Sequence, residues 1–212
     1  MSLEAIYNAV LTGNAGAAKD EVNLAVESGV SAEKILNEAC IPAMTEVGRL
    51  FEIGETFVPE MLIAARAMSA ATTILKPLLA KEGVEQIGTV IIGTVAGDLH
   101  DIGKNLVGMM MEGAGFKIID LGTDVSPQKF VDAVKTENPD IIAMSALLTT
   151  TTRSMINTIN ALNEAGVRGQ VKVMVGGAPI TQDFADKVGA DGFAADAGSA
   201  ARKAKEMLGL AA

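Results

Sequence analysis

Apolar positions recur at helical spacing through roughly the first 83 residues of the chain. Residues 2–12 predict a short helix ending near Gly13 and Asn14, and residues 15–28 a second ending at Gly29. Ser31 is placed to cap a third, whose apolar face is Ile35, Leu36, Ala39, Met44, Val47 and Leu50, with a kink expected at Pro42. Gly54 breaks the chain. Thr56 is the expected N-cap of a fourth helix, with Pro59 in its first turn. Met61, Leu62, Ala65, Met68, Leu75 and Leu79 carry that helix to about residue 81. Four helices with short connections predict a small antiparallel bundle. Lys81-Glu82-Gly83-Val84-Glu85 reads as a linker.

From residue 87 the pattern changes to short apolar runs at 89–95, 117–121, 141–145, 171–175 and near 191–195, which predict strands. Helical segments lie between and after them, at 103–113, 127–136, 153–165, 180–188 and 197–208. Strands alternating with helices imply right-handed crossovers and a doubly wound parallel sheet of the Rossmann or flavodoxin-like kind. The expected organisation is α + α/β: a helical-bundle domain over residues 1–83 and an α/β domain over 84–212. Ligands of such sheets sit beyond the carboxyl ends of the strands. The distinctive segments 97–103, 145–152 and 176–179 all fall at such ends.

Composition narrows the class. Hydrophobic residues make up 49% of the 212, aromatics only 3%, and Met 11 residues, so the core is built from small and aliphatic side chains. A net charge of −9 argues against nucleic acid as a partner. No uninterrupted apolar run reaches the roughly 18 residues of a membrane span, and the first residues lack the basic start and apolar block of a signal peptide. The single cysteine, Cys40, excludes an internal disulfide and fits a cytoplasmic protein. Its neighbours Ala39, Ile41 and Ala43 favour a buried helical thiol over a reactive one.

The only histidine lies in Gly97-Asp98-Leu99-His100-Asp101-Ile102-Gly103. A metal-bound imidazole must be neutral and present one defined nitrogen, and a carboxylate on the other N–H sets that tautomer. Asp98, two residues upstream, can do this, while Gly103 lets the backbone pass close to a bulky ligand. One histidine without cysteines or a second histidine nearby cannot build a zinc site. It can supply one axial ligand to a metal already held in a macrocycle. Taken alone, Asp-x-His is more often a solvated turn; its place at a strand exit shifts the balance. The hydroxyl-rich stretch Ser145 to Thr152 and the pair Gly176-Gly177 each have two readings. They are a helix cap and a tight turn, or polar contacts and bare backbone for a ligand. Thr123-Asp124 after Gly122 reads as a cap for the helix near 127. G-x-G-x-x-G, G-K-[ST], H-E-x-x-H and C-x-x-C are all missing, so nucleotide and zinc chemistry lack support.

Asp98-x-His100-x-x-Gly103, then Ser145-x-Leu147, then Gly176-Gly177 match in order the D-x-H-x-x-G, S-x-L and G-G elements of cobalamin-binding proteins, and here the chain resembles that family. Gly48-Arg49-Leu50-Phe51-Glu52 and Phe57-Val58-Pro59-Glu60 are similar to the G-x-L-F and F-x-P-E signature of the family's helical cap. The resemblance covers essentially the whole chain. It points to the small stand-alone corrinoid proteins of methylamine, methanol and related methyltransferase systems. It also extends to the cobalamin module of methionine synthase, without that enzyme's other domains.

The resemblance implies cobalamin or a related corrinoid as cofactor, methylcobalamin when loaded, bound with its own benzimidazole displaced. His100 is then the lower ligand of cobalt and Asp98 its hydrogen-bond partner. Thr151 extends the relay where methionine synthase has serine. Ser145, Leu147 and Thr149 fall at the nucleotide tail, and Gly176 and Gly177 make room for it. Phe51 and Val58 cover the upper, methyl-bearing face. The implied function is a carrier subunit, not itself a catalyst. It takes a methyl group onto cobalt from a substrate-specific methyltransferase and yields it to a second methyltransferase with a thiol or tetrahydrofolate acceptor. A reductive activase is a further implied partner. The methyl donor stays open among methylamines, methanol, quaternary amines and methoxylated aromatics. The rival readings are a cobalamin-dependent sensor, the small subunit of a carbon-skeleton mutase, and a flavodoxin-like domain without metal.

Overall fold

The computed structural model describes residues 3–83 and 86–210. The chain divides into two compact units, Met1–Ile87 with Gly113–Gly115, and Gly88–Glu112 with Phe116–Ala212.

The first unit is helical. α1 (Leu3–Leu11) and α2 (Ala15–Glu27) are joined by a tight turn, and the Asn14 side chain caps α2 by accepting the Ala17 N–H at 3.0 Å. Ser31 caps α3 (Ala32–Ile35) as expected, accepting the Lys34 N–H. α3 runs through a π turn (Leu36–Cys40) into α4 (Ile41–Glu52). The disturbance expected at Pro42 is therefore taken up one turn earlier. Proline has no N–H to return to the preceding turn and crowds its carbonyl. The helix widens there, and the Ile41 N–H bonds five residues back to the Leu36 carbonyl.

α5 (Val58–Glu82) starts one residue later than Thr56 would cap it. The Glu60 carboxylate reaches back to the Phe57 N–H at 3.1 Å and satisfies the helix start from inside. The Thr56 hydroxyl is buried without a hydrogen-bond partner among the described residues. The helix also continues through Lys81 and Glu82, which the linker reading had placed outside it, and ends on Gly83 at φ +72. Glu82 has a task there, since its carboxylate accepts the N–H groups of Ala32 and Glu33 at 3.1 Å each. Val84 and Glu85 of the expected linker lie outside the described residues.

Small residues form the inner face of the bundle. Along α5 the buried stripe is Met61, Ala64, Ala67, Met68, Ala71 and Leu75, whereas Leu62 is exposed. Alanine wins the inner positions because it lets helix axes approach closely. α5 is also the one described helix with the length and apolar composition to cross a membrane, a test that core helices pass as well. Cys40 is fully buried, and burial pushes its thiol pKa up to about 12, as suits an inert thiol.

The second unit alternates β1 (Thr89–Thr94), α6 (Ile102–Gly113), β2 (Lys117–Asp120), α7 (Pro127–Glu137), β3 (Ile141–Ser145), α8 (Thr152–Glu164), β4 (Lys172–Gly176), α9 (Gln182–Val188), β5 (Gly192–Ala194) and α10 (Ala197–Met207). All strand pairs are parallel, in the order β2-β1-β3-β4-β5. This is the doubly wound arrangement expected, and its strand order reverses between β1 and β3. The core packs Ile91, Ile142, Val173 and Val175 of the sheet with Phe130, Met155 and Leu162 of the helices. Register aligns Thr94 with Ser145 and Ser145 with Gly176, so the strand ends form one row.

Candidate functional site

The loops after β1 and β3 meet at the point where strand order reverses. The β1 loop opens with a turn from Val95 to Asp98, closed by the Asp98 N–H on the Val95 carbonyl at 3.1 Å. Gly97 supplies the left-handed residue this turn requires, at φ +84. Asp98 is thereby turned inward and is fully buried, while His100 stays largely exposed.

The Asp98 carboxylate accepts from five donors. Oδ1 takes the His100 backbone N–H at 3.1 Å and lies 2.7 Å from ring Nδ1. Oδ2 takes the backbone N–H groups of Leu147 at 2.8 Å and Leu148 at 3.1 Å, and the Thr151 hydroxyl at 2.7 Å. Burial alone raises the pKa of such a carboxyl. The Thr151 hydroxyl, the His100 ring and the Leu147 and His100 backbone N–H groups outweigh it and hold Asp98 well below the usual carboxylate range. An ionised carboxylate only accepts, so Nδ1 carries a hydrogen, and in the neutral ring Nε2 is the bare nitrogen. The His100 side chain is 52% exposed, so that nitrogen is available to a ligand.

The loops that carry His100 and its partners also expose apolar side chains: Leu99 and Ile102 are 73% and 74% exposed, and Leu147 and Leu148 are exposed as well. Exposed aliphatics beside a polar centre suit a large, mostly apolar ligand. A side chain at Gly103 would meet no protein atom within 4 Å, so packing within the protein does not require a glycine there. Gly177 is different. It has φ +125, and a Cβ would fall 1.9 Å from the Ala146 carbonyl oxygen. The β4 exit therefore runs backbone against backbone beside the β3 exit, which only glycine permits.

The structure thus joins Asp98, His100, Leu147 and Thr151 directly, and pairs Ser145 with Gly176 at the adjoining strand ends. Thr149 is exposed in the same β3 loop, its carbonyl accepting the Thr152 hydroxyl. Phe51, in the last turn of α4, and Val58, opening α5, are half-buried residues of the helical unit. Three residues escaped sequence reasoning. The Thr94 hydroxyl donates to the His100 carbonyl at 2.8 Å and the Ser154 hydroxyl to the Ala96 carbonyl at 2.9 Å. Asp124 accepts the Gly97 N–H at 2.7 Å. Reading Thr123-Asp124 as a helix cap was therefore wrong: Ser126 caps α7 through the Lys129 N–H, and Asp124 serves the histidine loop. Their only signal was position at strand exits and a helix start, shared with many unengaged residues. Among the described residues, no group of three or more His, Cys, Asp or Glu side chains could hold a metal ion.

Two family models, each described as a B12 binding domain, match residues 88–204 and 2–76. The chain is 46% identical over 186 residues to trimethylamine corrinoid protein 1 of Methanosarcina mazei, covering 87% of this chain and 86% of that protein. It superposes on a cobalamin-binding protein from Desulfitobacterium hafniense with a TM-score of 0.83 and 34% identity, covering 98% of both chains. It also matches the methanol:cobalamin methyltransferase complex MtaBC from Methanosarcina barkeri, with a TM-score of 0.82, 28% identity, and 94% and 76% of the two chains covered.

Proposed function

This chain belongs to the family of B12-binding corrinoid proteins, and from that premise we propose that it is a methyl carrier in which His100 is the protein's ligand to cobalt. One observation carries the assignment: the only histidine holds its Nδ1 on a saturated, buried carboxylate, which leaves Nε2 for a ligand, in loops that carry exposed aliphatic side chains. The donor set fits a corrinoid. A single imidazole cannot capture a free ion, but it completes a metal already held by a macrocycle. When bound, the corrinoid supplies the chemistry, its cobalt taking a methyl group from a donor and giving it to an acceptor.

The remaining work falls to the chain's own residues. Asp98 keeps His100 in one tautomer and raises its basicity as a ligand. Thr151 governs how firmly it does so. Its hydroxyl lies 2.7 Å from Asp98 Oδ2 and 2.8 Å from the Leu148 carbonyl, and one proton serves only one of them at a time. Turned to Leu148, it leaves Oδ2 free to accept more strongly elsewhere. His100 would hold the corrinoid through Nε2, with Asp98 keeping Nδ1 engaged on the other side of the ring. Gly103 leaves the space a flat ligand needs. Ser145, Leu147, Thr149, Gly176 and Gly177 are assigned to the nucleotide tail, and Phe51 and Val58 to the apolar cover of the methyl group.

The partners are methyltransferases, in keeping with the methyltransferase complex among the structural relatives. A donor-specific methyltransferase loads the carrier, a second unloads it to a thiol or folate, and a reductive activase restores it. Higher identity to the trimethylamine corrinoid protein supports an amine over methanol as the methyl source. The single buried cysteine supports a cytoplasmic location.

Reconstitution with hydroxocobalamin followed by reduction to cobalt(II) tests the assignment. The paramagnetic resonance spectrum of the wild type should show coupling to one histidine nitrogen. His100→Ala should abolish that coupling, or replace it with that of the cofactor's own base. Unchanged histidine coupling in the variant would remove His100 from the site.

A further inference from the structure

We propose that Asp124, in the loop between β2 and α7, is a positioning residue for His100. It grips the chain on both sides of the Asp98 Cα and so holds the Asp98–His100 pair in one geometry. The inference rests on the reading of His100 as the metal ligand and extends it to a residue outside the D-x-H-x-x-G motif.

The grip consists of two hydrogen bonds from one residue. In the turn from Val95 to Asp98, the Gly97 N–H is not used by the turn itself, and Asp124 Oδ1 accepts it at 2.7 Å. The Asp124 backbone N–H donates to the Asp98 carbonyl at 3.0 Å. Asp124 is itself anchored on β1. The Thr94 N–H donates to the Gly122 carbonyl at 3.0 Å, and the Val125 N–H to the Thr94 carbonyl at 2.9 Å. The loop thus transmits the position of β1 to the residue that holds the imidazole. Ser154 and Thr94 each hold one outer carbonyl of the same loop, at Ala96 and His100.

The backbone of Asp124 is a second, independent observation. Its φ is +52, and it is one of two non-glycine residues with positive φ among those described; the other, Asn138, ends a helix. Glycine adopts this conformation at no steric cost. An aspartate there brings what glycine lacks, a carboxylate at bonding distance from the Gly97 N–H.

The presence of one histidine makes the test direct, because its ring nitrogens give the only imidazole signals in a 15N spectrum. At about pH 8.5, well above the ordinary histidine pKa, the cofactor-free wild type should show one tautomer, with Nδ1 protonated. Asp124→Gly keeps the backbone conformation and its N–H but deletes the carboxylate, and it should populate the Nε2-protonated tautomer. Asp124→Asn retains an acceptor oxygen and tolerance of this backbone, and should restore the wild-type spectrum. After loading with hydroxocobalamin and reduction, the ratio of histidine-coupled to uncoupled cobalt(II) should fall about five-fold in Asp124→Gly, the effect of one lost hydrogen bond. An Asp124→Gly protein matching the wild type in both spectra would overturn the inference. A wild type without histidine coupling would instead sink the ligand assignment, while the cofactor-free spectra still decided whether Asp124 positions the ring.

Discussion

The two units differ in how far along the chain their polar side chains reach, although hydroxyls such as Thr136 and Thr158 back-bond locally in the sheet unit too. In the helical unit the hydroxyls of Thr12, Ser28, Thr45 and Thr72 turn back to the carbonyl four residues before them. The clear exception is Glu82, which caps a helix start 50 residues away. In the sheet unit the bonds that matter cross the chain: Gly97 to Asp124 spans 27 residues, Leu147 to Asp98 49, Thr151 to Asp98 53, and Ser154 to Ala96 58. A bundle needs only an apolar stripe per helix and can leave its polar groups to local partners. A ligand site at a sheet's carboxyl edge needs groups from separate crossovers to converge, and each group is then held by residues far off in sequence.

This contrast can be broken most forcefully at Gly177. Any Cβ there meets the Ala146 carbonyl, at a φ that side chains avoid, so Gly177→Ala should cost about 3 kcal/mol. Hydrogen exchange of the β3 and β4 amides would read it. Unchanged protection would mean that the paired loops are elastic and the long-range contacts loose.

Asp98→Asn comes next. It removes the charge from a buried group with five donors and turns an N–H₂ toward at least one of them, for a loss of about 2 kcal/mol. The loss should appear in urea unfolding of the cofactor-free protein, and an equally stable variant would show that the network contributes little to the fold.

A matched pair of threonines sharpens the comparison further. Thr151→Ala deletes a buried hydroxyl from the long-range network and should cost about 1 kcal/mol. Thr72→Ala deletes one that only back-bonds within α5, and should cost no more than about 0.3 kcal/mol, since such local bonds scarcely favour the helix. Equal costs would erase the distinction between the two units.

The smallest effect concerns Cys40. Its folded pKa, raised to about 12, exceeds that of the unfolded thiol. The folded chain therefore keeps a proton that the unfolded chain releases, and stability falls as pH rises through the alkaline range. Between about pH 8 and 9 the loss should be about 0.7 kcal/mol, with no dependence from this group at lower pH. Cys40→Ala should lack that slope. A wild type whose stability has the same slope would mean that the bundle core admits the thiolate.

The expected elements reappear in the structure wherever apolar periodicity was strong: the strands within one or two residues, and α7 and α10 nearly whole. The readings that failed involve competition between neighbours. Thr56 looked like the cap of α5, but Glu60 reached the helix start first. Leu62 looked like core, but Ala64 and Ala67 packed more closely. Asp124 looked like the cap of α7, but Ser126 took that role and left its carboxylate to Gly97. Each outcome depends on which of two chemically competent groups the fold brings nearer, and spacing alone does not rank them.

By itself the sequence determined the order of a helical bundle and an alternating α/β region, the buried thiol, and the histidine loop with its family signature. These are properties of adjacent residues, set by periodicity, composition and motif. The resemblance had already joined Thr151 to Asp98 and His100; only the tertiary structure decided that backbone N–H groups of His100, Leu147 and Leu148 complete five donors to that carboxylate, and which imidazole nitrogen faces it. It alone recruited Thr94, Asp124 and Ser154 to the histidine loop. The physical reason is that these hydrogen bonds act over about 3 Å between segments that crossovers separate by tens of residues. Their partners are chosen by how the sheet is wound, which no short stretch of the chain records.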